Sequence, residues 1–453
     1  MWLLATVLAG CGGNDDTPGI DGGIDTPVID APAPDAAPAG YRAEVVQELT
    51  FVRDGRTFPV QLVRVLRPDG GRTYLQWMRS DRPIPRPTVL STDPYGGIDW
   101  TGEAVDARWA GRPSGLYQDV DGPDYDGDAL IVYFPMSVAT VEDQEYIHLL
   151  NDANVLRVHG RFYAGGDLAD DVADMAAGMW FLSQQPGLDP ARVGTYGGSW
   201  GGFESLYASA YGDRRVAPRV TVALYPPVDF GAWLDFAEAS PEPLFSAIEG
   251  HRRRVRHTTG GSLAEGGDFT GYTAAGLCAG LPADTLVLHD ALDGLVPIAQ
   301  SRGLVATCGG DAVYWPRATT PAPGAATHGP LLEEGNGGEP GFVPAAYTYG
   351  LVYLHLRLRP AGEGVVAPVW RPSMQRQLAE LRAAQLRGEP VAFAAPRLRE
   401  LCDPRVTLYD LVDGALGVFT GAAVVAELVN QTWGTSYTAT TIAAALAAGL
   451  PPP

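Results

Sequence analysis

Val193-Gly194-Thr195-Tyr196-Gly197-Gly198-Ser199-Trp200-Gly201-Gly202 is a short strand-like run that breaks into glycines around one serine. The run up to Tyr196 reads as a strand, and a helical stretch follows the glycines, so Ser199 falls in the turn between them. A turn that sharp leaves no room for a Cβ two residues before the serine or two after, and Gly197 and Gly201 fill those places. Ser199 is thereby held out of the sheet as a candidate nucleophile. The amide N–H of Trp200, at a helix N-terminus, is a candidate donor to a developing oxyanion.

Outward from this stretch, apolar strand-like runs alternate with helical patterns: Pro87 to Ser91, Ala129 to Phe134, Asn154 to Val158, Val193 to Tyr196, Val220 to Leu224 and Thr285 to His289. Such alternation predicts an α/β fold, a mostly parallel central sheet with helices on both faces. Apolar residues recur at helical spacing from Asp167 to Leu182, and Pro186 stops that helix. From Glu44 to Trp77, β-branched runs broken by Asp54-Gly55 and Asp69-Gly70-Gly71 predict an antiparallel N-terminal edge. Two stretches fit this pattern poorly. Residues 229–280, with a basic patch from His251 to His257, read either as a lid insertion or as surface decoration. Residues 361–453 read as a C-terminal extension in which Met374 to Arg387 forms an amphipathic helix.

With Asp189-Pro190-Ala191-Arg192 before it, the serine phrase resembles the prolyl oligopeptidase family and the related cocaine esterase and X-prolyl dipeptidyl aminopeptidase group. These are serine hydrolases of the α/β-hydrolase fold that write the turn as Gly-x-Ser-Tyr/Trp-Gly-Gly. In this fold the chain order is Ser, Asp, His. After Thr285 to His289 comes Asp290-Ala291-Leu292-Asp293-Gly294-Leu295-Val296-Pro297, which looks like the acid loop of these families. The resemblance makes Asp293 the residue that orients the histidine, with Asp290 as the alternative. Only His328 and His355 follow the acid loop; His328, in a loop before Gly329, matches the families' His-Gly and is the expected general base. His355 lies in an apolar run and reads as a core or solvated histidine, and the five earlier histidines read as surface or supporting residues.

Thr92-Asp93-Pro94-Tyr95-Gly96-Gly97 resembles the Pro-Tyr-Gly phrase of the cocaine esterase group, which implies that the Tyr95 hydroxyl completes the oxyanion hole beside Trp200. Val155 to Asp167 resembles the strand and glycine-rich loop beside the cleft in these families; a salt bridge is the preferred reading of Arg161. Glu204 reads as an exposed helix residue or, facing the cleft, an amine contact. The resemblance spans roughly residues 85 to 355 and departs at both ends, with no propeller-sized N-terminal domain and no jelly-roll pattern after His328. An esterase is therefore preferred, a peptidase is the alternative, and a lipid-anchored binding protein without catalysis is the rival of another class.

Composition narrows the partners. The 453 residues carry 53 acidic against 32 basic side chains and a formal charge of −21, which repels phosphate backbones and argues against nucleic acid. There is no lysine, so Schiff-base chemistry on lysine is excluded. No cofactor is expected and no metal motif stands out; the acidic stretch Asp119 to Asp128 lacks the closing glutamate of a calcium loop and reads as solvated.

Residues 1–11 end in Leu8-Ala9-Gly10-Cys11, which resembles the lipobox of bacterial lipoproteins. Cys11 would be lipidated and would hold the protein at a membrane in the periplasm or at the cell surface. Residues 12–40, rich in Asp, Pro and Gly, read as a disordered tether, leaving 41–360 as the hydrolase domain. Cys278 and Cys308 flank the Asp293 segment; buried free thiols are the preferred reading, with a disulfide between them as the alternative.

Overall fold

The computed structural model describes residues 40–83, 85–93, 115–118, 130–133, 143–160, 166–239, 249–291, 293–315, 342–388, 395–412 and 415–449. Cys11, Tyr95, Asp119 to Asp128, Arg161 and His328 lie outside them.

Nine strands make one sheet. β1 (Arg42–Arg53), β2 (Arg56–Leu66) and β3 (Arg72–Met78) form the antiparallel edge, turned by Asp54 and Gly55, both at positive φ. The body consists of β4 (Arg86–Asp93), β7 (Asn154–His159), β8 (Leu188–Gly198), β9 (Val220–Leu224), β10 (Asp284–Asp290) and β11 (Asp311–Trp315), all mutually parallel. Every residue of β7 and β9 is buried, as strands covered on both faces require.

Across the sheet the order is β1-β2-β3-β7-β4-β8-β9-β10-β11. The chain thus steps from β4 outward to β7 and returns to place β8 on the other side of β4. Strand order reverses there, and in open α/β sheets the crevice outside the strand ends at such a point is where ligands bind.

β5 (Gly115–Gln118) and β6 (Leu130–Tyr133) pair with each other as a separate antiparallel ribbon. This corrects the expectation for Ala129 to Phe134. Its apolar run has the composition of a parallel core strand, and nothing local in it specifies which strand it pairs with.

Helices clothe both faces. α1 (Asp143–Leu150) precedes β7, and α2 (Leu168–Ser183) starts from a reciprocal cap in which the Asp167 and Asp170 side chains each accept the other's backbone N–H. α3 (Trp200–Tyr211) follows β8. The expected insertion folds as α4 (Phe230–Ala239), α5 (Glu249–Thr259) and α6 (Ala274–Leu277), and it packs Phe230, Trp233, Val255 and Tyr272 against Trp200 and Phe203 of α3. α7 (Ala299–Cys308) links β10 to β11.

The opposite face is covered by α8 (Phe342–Leu358), which meets Val222 and Leu224 of β9 while Ala223 between them faces the α3 side. Beyond it come β12 (Val365–Pro368), α9 (Arg371–Leu386), α10 (Ala395–Leu401), β13 (Val406–Val412), β14 (Ala415–Thr420), α11 (Gly421–Trp433) and α12 (Ile442–Ala447). Strands β12 to β14 form their own small sheet. Met374, Leu378, Leu398, Leu408 and Val425 lie in one apolar cluster with Leu351 and Leu354 of α8, so this stretch buries the outer side of α8.

A nine-stranded sheet in this order, with a serine turn between β8 and α3, has the topology of an α/β-hydrolase fold. Among the described residues no helix is long and apolar enough to cross a membrane.

Candidate active site

The glycine-flanked serine lies where β8 ends at Gly198 and α3 begins at Trp200. Ser199 has φ 54° and ψ −122°, a conformation that side chains other than glycine's seldom adopt. Its N–H donates to the Leu224 carbonyl at the end of β9, at 2.8 Å. A Cβ on Gly197 would lie 2.3 Å from the Gly201 carbonyl oxygen, and one on Gly201 would lie 2.6 Å from that of Thr92. Both glycines are therefore obligatory, for the steric reason read from the sequence.

Thr92, near the end of β4, fastens this turn. Its hydroxyl oxygen lies 2.5 Å from the Gly201 carbonyl, to which it donates, and 2.8 Å from the Ser205 hydroxyl. Sequence reasoning passed over Thr92, although it stands three residues before Tyr95. At the adjoining strand end Tyr225 also has positive φ, 39°, so two strained residues sit side by side at the ends of β8 and β9.

Trp200 opens α3, where the first backbone amides have no partner within the helix. Its indole is buried between Phe203 and Phe230, with the His251 ring 5.6 Å away, and its Nε1–H donates to Asp171 Oδ2 of α2 at 2.6 Å. Glu204, one helical turn on, is fully buried. This overturns the expectation of an exposed position. The i, i+4 spacing from Trp200 puts Glu204 on the face of α3 that meets α2, and burial beside Asp171 raises its carboxyl well above the ordinary range.

The loop that holds Asp293 follows β10. Asp290 closes the strand and Asp293 is almost fully buried. Asp293 Oδ1 accepts the N–H groups of Leu295 at 2.9 Å and Val296 at 2.8 Å, while Oδ2 lies 3.7 Å from His289 Nε2. His289 is itself fixed, Nε2 meeting the Val296 carbonyl at 2.7 Å and Nδ1 the Ser301 hydroxyl of α7 at 2.6 Å. A carbonyl only accepts, so Nε2 carries a proton. Cys278 beside α6 and Cys308 at the end of α7 are joined in a disulfide, which corrects the free-thiol reading for these two, and Cys402 is a buried free thiol.

The remaining histidines divide. His257 is exposed beside Asp167, whereas His148, His159 and His289 are buried, against the surface reading. His355 is a core residue: its Nε2 lies 2.9 Å from His148 Nδ1, joining α8 to α1. Burial drives both below the ordinary histidine value of 6.5, His148 to about 3. Among the described residues no group of acidic, His or Cys side chains is arranged to hold a metal ion. The structure therefore brings Ser199 and Trp200 together at the end of β8 and puts Asp293 two strands away, after β10.

No protein-family model matches the chain, and no curated protein matches it by sequence. Solved structures similar to it include acetyl xylan esterase 1 from Thermoanaerobacterium sp. JW/SL YS485, at 13% identity and a TM-score of 0.39, over 61% of this chain and 81% of that one. A glucuronoyl esterase from Solibacter usitatus is also similar, at 13% identity and a TM-score of 0.38, over 60% and 74% of the two chains. A puromycin-hydrolyzing peptidase of Mycobacterium tuberculosis matches at 18% identity and a TM-score of 0.35, over 56% of this chain and 34% of its own. Sheet order and the strained serine turn, rather than these distant likenesses, establish the fold.

Proposed function

We propose that this chain is a serine hydrolase that cleaves a carboxylic ester through an acyl-enzyme on Ser199. The observation that carries the reading is the backbone of Ser199, held at positive φ between β8 and α3 by glycines that tolerate no Cβ. A serine kept in a strained turn at the strand ends, where sheet order reverses, serves a reacting group better than a structural one.

In this mechanism Ser199 Oγ attacks the substrate carbonyl while His328 takes its proton. Asp293 holds the imidazole in the required tautomer, and the Trp200 N–H with the Tyr95 hydroxyl receives the oxyanion. His328 then returns the proton to the leaving alcohol, and a water activated by the same histidine releases the acid. The positions of the two described members support the assignment. Ser199 and Asp293 follow strands separated by one strand, about 10 Å between strand axes, and an imidazole hydrogen-bonded at both nitrogens spans such a gap. Asp293 is preferred to Asp290 because two backbone N–H groups fix one of its oxygens, as a carboxylate that orients an imidazole requires. Helices α4 and α5, packed on the Trp200 side, wall the cleft in this reading. Export with a lipid on Cys11 is part of the proposal, and a disulfide in the folded chain agrees with an oxidising compartment.

The test is p-nitrophenol release from p-nitrophenyl acetate. Ser199→Ala is expected to abolish turnover, and Asp293→Asn to lower kcat by roughly 10³-fold to 10⁴-fold. Equal turnover in wild type and Ser199→Ala, or none in either, would contradict the proposal.

A further inference from the structure

Resting on that reading of Ser199 and Trp200, we infer that Asp171 and Glu204 form a proton-sharing carboxyl pair that anchors the Trp200 indole and so aims its backbone N–H at the oxyanion. Both would be positioning residues, acting through Trp200 without touching substrate.

Three observations carry this. The indole Nε1–H donates to Asp171 Oδ2 at 2.6 Å, in a site where Trp200 is nearly and Asp171 fully buried. Among the described residues neither carboxyl oxygen of Glu204 meets an N–H or hydroxyl donor, although Glu204 too is fully buried. What Glu204 meets is Asp171: a Cβ built on Gly160 would lie 2.2 Å from Glu204 Oε1 and 2.8 Å from Asp171 Oδ1, so the two carboxyls crowd the same glycine.

Two ionised carboxyls do not share a dry site without a cation between them. The described charged groups around this one come from several elements. From α2, Asp174 adds a third carboxyl, whose Oδ1 is taken by Arg67 at 2.8 Å and by the Thr73 hydroxyl at 2.5 Å. Arg67 also reaches Asp69 and Asp170. From β7, His159 is buried next to Gly160; from α5, His251 lies against the Trp200 ring and Arg254 is buried. The proton that relieves the repulsion then resides on Glu204, which donates to Asp171 Oδ1 while Asp171 Oδ2 takes the indole. Burial and the neighbouring Asp171 and Asp174 charges both favour the protonated form. Helix α3 starts at Trp200, so a shift of its indole is transmitted directly to the amide beside Ser199.

The experiment combines p-nitrophenyl acetate kinetics across rising pH with Trp fluorescence of the full chain, taken as the difference from Trp200→Phe. Asp171→Asn and Trp200→Phe are each expected to lower kcat by about 10-fold to 10²-fold with KM little changed, and the double variant no further than the worse single one. Glu204→Leu, which cannot donate, is expected to fall with them. Glu204→Gln, which donates but does not ionise, is expected to recover the rate relative to Glu204→Leu. It should also remove both the fall in kcat as pH rises and the matching change in Trp200 fluorescence. Multiplying losses in the double variant, or a fluorescence transition with rising pH that is identical in wild type and Glu204→Gln, would overturn the pair. A wild-type protein that turns over no faster than Ser199→Ala would instead overturn the hydrolase reading and the catalytic purpose of the pair, while the fluorescence comparison would still decide whether the pair exists.

Discussion

A serine at positive φ costs on the order of 1 to 3 kcal/mol in backbone strain, and the neighbours of Ser199 are arranged to hold it there. Leu224 accepts its N–H, and the Thr92 hydroxyl grips the carbonyl of Gly201 on the far side of the turn. Thr92→Val keeps the shape and removes the hydroxyl, leaving a buried carbonyl without that donor. We expect a loss of about 1 to 3 kcal/mol in urea denaturation, together with reduced turnover; an unchanged midpoint would show that Thr92 does not brace the turn. Gly197, Ser199 and Gly201 were legible in the sequence because the steric rule that selects them acts within five residues. Thr92 and Asp171 were not, because they reach the turn from β4 and α2. The i, i+4 pair Trp200 and Glu204 was the one local sign of the buried contact with α2, and an exposed helix face fits the same spacing.

Among the elements, the loop that carries Asp293 is tied at two levels. Backbone N–H groups grip Asp293 from within, and the Cys278–Cys308 bridge joins α6 to the end of α7 on either side of it. A bridge that closes a loop of 30 residues is worth about 3 to 4 kcal/mol in the chain-entropy account. Replacing both cysteines by alanine should lower stability by that order in urea denaturation, and a loss below about 1 kcal/mol would mean the loop is held by packing alone. The alternation of strands and helices, the N-terminal antiparallel edge and the helix from Asp167 were all readable, since each rests on local periodicity. The ribbon of β5 and β6 was not, because Leu130 to Tyr133 reads equally as a core strand. The packing of residues 365–446 onto α8 was hidden for a related reason: it depends on which apolar faces meet, and amphipathic spacing leaves the partner open.

For the molecule as a whole, buried ionisable groups set a pH window. His148 and His355 join α1 to α8 with both rings buried, and both titrate below the ordinary histidine value of 6.5. The unfolded chain takes up those protons first as pH falls, so stability declines below pH 6.5. The slope reaches about 1.4 kcal/mol per pH unit for each histidine and persists for His148 down to about 3. Replacing both histidines by leucine should flatten the acid limb of a urea-denaturation series; an acid limb of wild-type steepness would place the sensitivity elsewhere. Glu204 works in the opposite direction, since a raised carboxyl keeps its proton in the folded state and stability falls as pH rises above its ordinary range.

The nucleophilicity proposed for Ser199 rests on its strained turn. Its most direct test is mass spectrometry of the full chain after incubation with a fluorophosphonate, followed by peptide mapping. One phosphonyl adduct per chain is expected, carried by Ser199, formed in native protein and absent after urea denaturation. An unlabelled native chain, or an adduct on another residue with Ser199 unmodified, would contradict it.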